Sequence, residues 1–108
     1  MGDIELARRR LEAKREEIER QSQQAAQSRE TVELDQQSVG RLSRMDAMQV
    51  QEMAKAQEAR RRHDLVRIDM AMRRIEAGEY GYCIECDAEI PDGRLAIDPM
   101  AEKCVDCA

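Results

Sequence analysis

The chain has 108 residues, of which 38% are charged and only 2% aromatic, and it carries a net charge of −5. Tyr80 and Tyr82 are the only rings, with no Phe and no Trp, so a thick globular core is excluded, because large aromatics usually supply much of the buried area. Such a composition suits long solvated helices, and a fold that thin needs a staple.

The N-terminus runs Met1-Gly2-Asp3-Ile4-Glu5 and reaches Arg8-Arg9-Arg10 without an apolar run behind it, which argues against a secretory signal. Leu6 stands where a myristoylation motif needs Ser or Thr. No stretch is long and apolar enough to span a bilayer, so the expected location is cytoplasmic, with no membrane partner. From residue 3 to about 34 there is no Gly and no Pro, and Ile4, Leu11, Ile18, Ala25 and Val32 recur every seventh position. That period marks one seam of an amphipathic helix. The neighbouring row Ala7, Lys14, Gln21 and Ser28 is mostly polar, so the seam is weak. Pairs such as Glu5–Arg9 and Glu16–Arg20 put the acid four residues before the base, the better orientation on a helix.

Asp35 to Arg44 separates this helix from a second one over about 45–77. Gly40 lies midway between two runs of similar length, which predicts an antiparallel helical hairpin with its tip near 35–44. The alternative is one continuous helix through Gly40, since a lone Gly costs only about 1 kcal/mol. The hairpin is preferred because two weak seams need each other. Each arm of roughly 30 residues would reach about 45 Å. In the second helix the stripe is Leu65, Ile68, Met72 and Ile75, continued upstream by Ala47, Val50 and Ala54 and interrupted at Glu58 and Arg61. Met45, Met48, Met53, Met70 and Met72 read as flexible seam packing, and His63, the single histidine, as an ordinary helix residue. Asp35 or Ser38 could simply cap the second helix. Gly78 suits the position just past a helix end.

Beyond Gly78 the chain is short, punctuated by Gly and Pro, and holds all four cysteines. Cys83-x-x-Cys86 and Cys104-x-x-Cys107 have the spacing of a four-cysteine zinc site. Four thiolates fill a tetrahedron and leave no open position, so one structural Zn2+ is expected and no catalysis. Turns are expected at the two knuckles, with a short strand or loop around 90–97. The fold class is therefore mainly α: a long helical hairpin (coiled coil) over 1–78 with a small zinc ribbon over 79–108. Residues 79–108 contain eight acids and two bases, a net of −6, against +1 for residues 1–78. Phosphate binding needs clustered Lys and Arg, so no direct DNA binding is expected of the ribbon. The triplets Arg8–Arg10 and Arg60–Arg62 could touch an acidic partner or lie on a solvated face.

On Gly78-Glu79-Tyr80-Gly81-Tyr82-Cys83-Ile84-Glu85-Cys86, Ile90, Arg94-Leu95, Pro99 and Cys104-Val105-Asp106-Cys107, the chain resembles the DksA/TraR family of bacterial four-cysteine zinc-finger regulators. The resemblance is close over 65–107 and architectural over the hairpin. It implies a non-enzymatic regulator of transcription that binds bacterial RNA polymerase. The hairpin would enter the secondary channel, acidic tip residues would approach the active site, and open complexes would change in stability. Some family members act with ppGpp.

The departures from the family pattern fall at the tip and at the basic positions. The family tip reads Asp-x-x-Asp-x-Ala, and here Asp35 matches the first acid, with Ser38 at the second. Counting back from Cys83 without gaps puts the second acid at Ser43, with Asp46 the nearest carboxylate. Asp35 and Asp46 are thus the candidate tip residues. Arg60 falls on a basic rim-contact position and Arg67 on a basic ppGpp-contact position. Two further basic ppGpp positions fall on Asp98 and Ala108, so ppGpp dependence is expected to be weak or absent. The chain stops at Ala108, where family members often continue into a helix, and Asp87 replaces a usual Gly. The rival readings are a zinc-stapled adapter or self-associating module, and a redox dithiol at Cys83–Cys86.

Overall fold

The computed structural model describes the backbone of residues 4–39 and 44–108, and the side chains of 4–27 and 46–108. Three helices form: α1 over Ile4–Val39, α2 over Arg44–Ala77 and α3 over Asp92–Ile97. The chain has the expected fold class, a long antiparallel helical hairpin followed by a small four-cysteine unit. Helix α1 runs five residues past the expected bend, so Asp35 belongs to a helix. Gln36, Gln37, Ser38 and Val39 each cost only tenths of a kcal/mol there, and no Gly or Pro intervenes. Gly40 and Ser43, and the side chains of Ser28, Val32, Asp35, Ser38 and Met45, lie outside the described residues.

Two compact units result, one of Met1–Glu16 with Leu65–Ala108 and one of Glu17–Asp64. The first has a core of Ala7 and Leu11 from α1, Ile68, Ala71 and Ile75 from α2, and Tyr80, Cys83, Ile90, Leu95, Met100, Ala101 and Cys104 from the segment beyond. Arg15 binds Asp69 at 2.7 Å across the paired helices. In the second unit Ile18 is buried. Ser22 donates to Glu58 at 3.2 Å, and Arg61 bonds both Ser22 and Glu58.

These contacts correct the expected second row of α1. Lys14 and Gln21 are exposed, whereas Arg8, Arg15 and Ser22 are half-buried. The row beside Ile4, Leu11 and Ile18 is therefore offset by four residues and not by three. Of Ala7, Lys14 and Gln21, the described members of the expected set, only Ala7 is buried. The methionines also depart from expectation, since Met48, Met53 and Met70 face solvent. Met70 lies two residues from both Ile68 and Met72, about 200° round the helix, on the opposite face from the seam. Val50 is exposed as well.

Helix α2 ends in a Schellman cap. The Glu79 N–H donates to the Arg74 carbonyl at 2.8 Å and the Gly78 N–H to that of Ile75 at 3.2 Å. Gly78 takes φ 74°, a conformation glycine adopts without a Cβ clash. The segment expected as strand or loop around 90–97 instead contains α3. Pro91, with φ −57°, starts it, and its carbonyl accepts from the N–H groups of Arg94 and Leu95. Leu95 is buried, so tertiary packing overrides the poor propensity of Asp92-Gly93. Pro99 ends it, because a residue before proline avoids helical angles, and Asp98 has φ −129° and ψ 89°. Among the described residues the ribbon has no strand, only an isolated antiparallel bridge between Tyr82 and Glu89.

Candidate metal centre

Two tight turns bring the cysteines together. In the first knuckle the Cys83 N–H donates to the Ala88 carbonyl at 2.8 Å and the Asp87 N–H to that of Cys83 at 3.0 Å. In the second, the N–H groups of Cys107 and Ala108 both reach the Cys104 carbonyl. The Ile84 N–H donates to the Glu102 carbonyl at 2.9 Å and ties the knuckles side by side. Lys103 bonds Glu85 at 3.1 Å across them, and that pairing raises the pKa of Lys103.

The four sulfurs of Cys83, Cys86, Cys104 and Cys107 all lie within 4.8 Å of one another, and those of Cys86 and Cys104 are 3.6 Å apart. A tetrahedral zinc with Zn–S bonds of about 2.3 Å needs sulfurs about 3.8 Å apart, so the residues fit the ion. None is in a disulfide. Backbone geometry favours a thiolate at Cys83. The N–H of Cys104 bonds its sulfur, those of Cys86 and Glu85 add to it against the opposing effect of burial, and its pKa falls to about 6. Cys107 is pushed up because its thiol shares hydrogen bonds with Cys104, Cys86 and Cys83. Cys86 is also raised: the Ala88 N–H pulls it down, but sharing with Cys104 and Cys83 outweighs that. A bound dication would hold all four as thiolates together at neutral pH. One structural zinc fits here, with no position open for a substrate.

The segment between the knuckles is anchored to α2. Tyr80 is buried and its hydroxyl donates to the Pro99 carbonyl at 2.8 Å, with burial raising its pKa. Arg74 approaches Glu102 at 3.8 Å. Arg67 donates to Asp98 at 3.3 Å, while the other Asp98 oxygen accepts the Met100 N–H at 3.2 Å. Reading the sequence missed this pair, since its partners are 31 residues apart and no local pattern joins them.

The remaining candidates are dispersed. Arg60 is exposed on α2, and Arg61 and Arg62 beside it pair with Glu58. Asp46 is exposed in the first turn of α2, where an acid favours the helix dipole. His63 is an exposed residue of α2. No described helix is long and apolar enough to cross a membrane.

Residues 78–108 match the prokaryotic dksA/traR C4-type zinc finger. An uncharacterized protein of Aquifex aeolicus is 46% identical over 41 residues, covering 38% of this chain and 28% of that protein. The RNA polymerase-binding transcription factor DksA of Escherichia coli is 35% identical over 48 residues, covering 44% of this chain and 32% of that protein. The matched segment thus spans about a third of these relatives' length. The structure of transcription factor DksA2 from Pseudomonas aeruginosa has the same fold, with a TM-score of 0.77 at 22% identity over 96% of this chain and 78% of that one. Its zinc finger and its hairpin fold together make the chain a DksA-like four-cysteine zinc-finger protein.

Proposed function

We propose that the chain regulates transcription by binding bacterial RNA polymerase, its helical hairpin entering the secondary channel and altering open-complex stability. The observation that carries this reading is the zinc finger joined to a DksA-like hairpin, together with relatives named as RNA polymerase-binding transcription factors. The net charge of −6 over 79–108 supports docking on protein and not on DNA. The filled thiolate shell supports a binding role and not an enzymatic one. Asp35 is the first candidate for the active tip and Asp46 the second, while Arg60 and Arg67 are candidates for polymerase contact. Weak or absent ppGpp dependence is supported by the Arg67–Asp98 pair, which engages the guanidinium inside the chain and sets a carboxylate beside it. A carboxylate there repels a phosphate.

The test uses zinc-loaded protein with a photo-crosslinker at Gln37 and core RNA polymerase. Crosslinks near the active site at micromolar or tighter affinity are expected, with Asp35→Asn abolishing the effect on open complexes. Dose-response curves with and without ppGpp should coincide, and a large shift would sink the ppGpp statement. A second reading, a self-associating adapter, draws on the exposed Met48, Val50 and Met53 of α2. Mass measured against concentration separates the two: a rising mass with no polymerase binding favours the adapter.

A further inference from the structure

The two knuckles run side by side with a constant offset of 18 residues. The Ile84 N–H donates to the Glu102 carbonyl at 2.9 Å, Glu85 pairs with Lys103 at 3.1 Å, and the sulfurs of Cys86 and Cys104 are 3.6 Å apart. The ion pair thus lies one residue before a pair of metal ligands and one residue after a backbone hydrogen bond that fixes both strands of chain. Lys103 is half-buried, and it is the only lysine of 79–108, where eight acids face two bases. The other base, Arg94, belongs to α3. The hydrogen bond to Glu85 is the main cause that raises the Lys103 pKa, and the negative charges of Glu85, Glu102 and Cys107 raise it further against desolvation. The ammonium therefore faces a ligand sulfur as well as a carboxylate.

Four thiolates around one dication leave a net charge of about −2, more negative than the same thiols without metal at neutral pH. We infer that Lys103 is a positioning residue of the metal centre, whose ammonium offsets the charge of the zinc-bound thiolates and so tightens the hold on the metal. A cation beside a thiolate makes it less available to protons and to electrophiles. Glu85 steers the ammonium but opposes its effect, since a carboxylate near the cluster adds to the negative charge there. A simple latch between the knuckles would behave otherwise, because both partners of the ion pair would then strengthen zinc binding. The two roles differ in the sign of the effect at Glu85.

The full chain is compared with its Lys103→Met, Lys103→Arg and Glu85→Gln variants. Neither side chain is buried, Met keeps most of the lysine stem, and Gln keeps an acceptor for the ammonium. Competition with a chromophoric chelator at neutral pH reads zinc affinity, and the rate of alkylation by iodoacetamide at saturating zinc reads the thiolates. Lys103→Met is expected to weaken zinc binding about fivefold and to speed alkylation about threefold, the scale of a partly exposed charge contact. Lys103→Arg should keep both within about twofold of the wild type. Glu85→Gln should bind zinc as tightly as the wild type or more tightly, and alkylate no faster. Equal weakening in Lys103→Met and Glu85→Gln would reduce the pair to a latch and overturn the charge role. Wild-type affinity and alkylation in Lys103→Met would overturn it too. If Lys103→Met takes up no zinc, the sign of the effect in Glu85→Gln decides alone.

Discussion

Asp87 occupies a backbone conformation that opposes its own side chain. Its φ of 62° is the only positive value at a non-glycine among the described residues. A left-handed residue costs roughly 1–2 kcal/mol through contact of its Cβ with the following carbonyl, a cost that Asp reduces by local hydrogen bonding. The turn cannot relax, because the Asp87 N–H closes the first knuckle onto the Cys83 carbonyl. Asp87→Gly should therefore strengthen zinc binding by up to about fivefold, near 1 kcal/mol. Part of that gain is offset by the extra freedom glycine gives the unfolded chain. Asp87→Val should weaken binding by at least as much, since a β-branched residue tolerates positive φ poorly. Competition against a chromophoric chelator ranks the three proteins. A Val variant holding zinc as tightly as the Gly variant would dispose of the strain argument.

At the scale of the helices, the polar layer of Ser22, Glu58 and Arg61 replaces apolar packing in the second unit. Arg61 and Glu58 are mostly buried and bonded at 2.8 Å, and the Arg61 hydrogen bond holds the Glu58 pKa below its usual 4.5. A carboxylate lowered in this way adds stability above about pH 4.5 and loses it as pH falls through the lower folded-state value. Glu58→Ala leaves the half-buried Arg61 guanidinium without its carboxylate and should cost about 1 kcal/mol in urea unfolding. Replacing Ser22, Glu58 and Arg61 together by Ala, Leu and Leu should raise stability while permitting helix pairing between chains. Sedimentation would then show a mass rising with concentration, and a strictly monomeric triple variant would deny the layer any role in specificity. This layer also marks where sequence reading stopped. Leu65, Ile68, Met72 and Ile75 announce their stripe because apolar residues at helical spacing are a local signal, and the cysteine spacings are equally local. Arg8, Arg15 and Ser22 form the second row of α1 yet are polar, so a search for apolar periodicity passes over them. Helix α3 was hidden for a related reason: Leu95 holds it by burial in a core assembled from distant segments.

For the whole molecule, the reach of the zinc ion is set by what shares its core. The unit that contains the cysteines also contains both helix ends, with Leu11, Ile68 and Ile75 buried in the same unit as Cys83 and Cys104. Segment 79–108 has a single β-bridge and a six-residue helix, too little backbone bonding to hold itself. Metal binding in so small a unit contributes folding energy directly, so chelation should lower its melting temperature by roughly 15 °C or more. Proteolysis should then cut first within 79–108. The pH dependence follows from the thiols. Cys86 and Cys107, both raised, must each release a proton when zinc binds at neutral pH. Two released protons mean that affinity falls by at least about a hundredfold for each unit of acidification. Cys83, held well below the usual thiol range by the backbone N–H of Cys104, is mostly thiolate at neutral pH and releases little there, but as pH falls towards about 6 it takes up a proton that zinc must also displace. The slope of zinc affinity against pH should therefore steepen as pH falls through 6. Titration with a zinc-sensitive dye from pH 8 to 5 measures both slopes. Fewer than two protons per zinc near neutrality, or a melting temperature indifferent to chelation, would mean that the staple acts only on its four ligands.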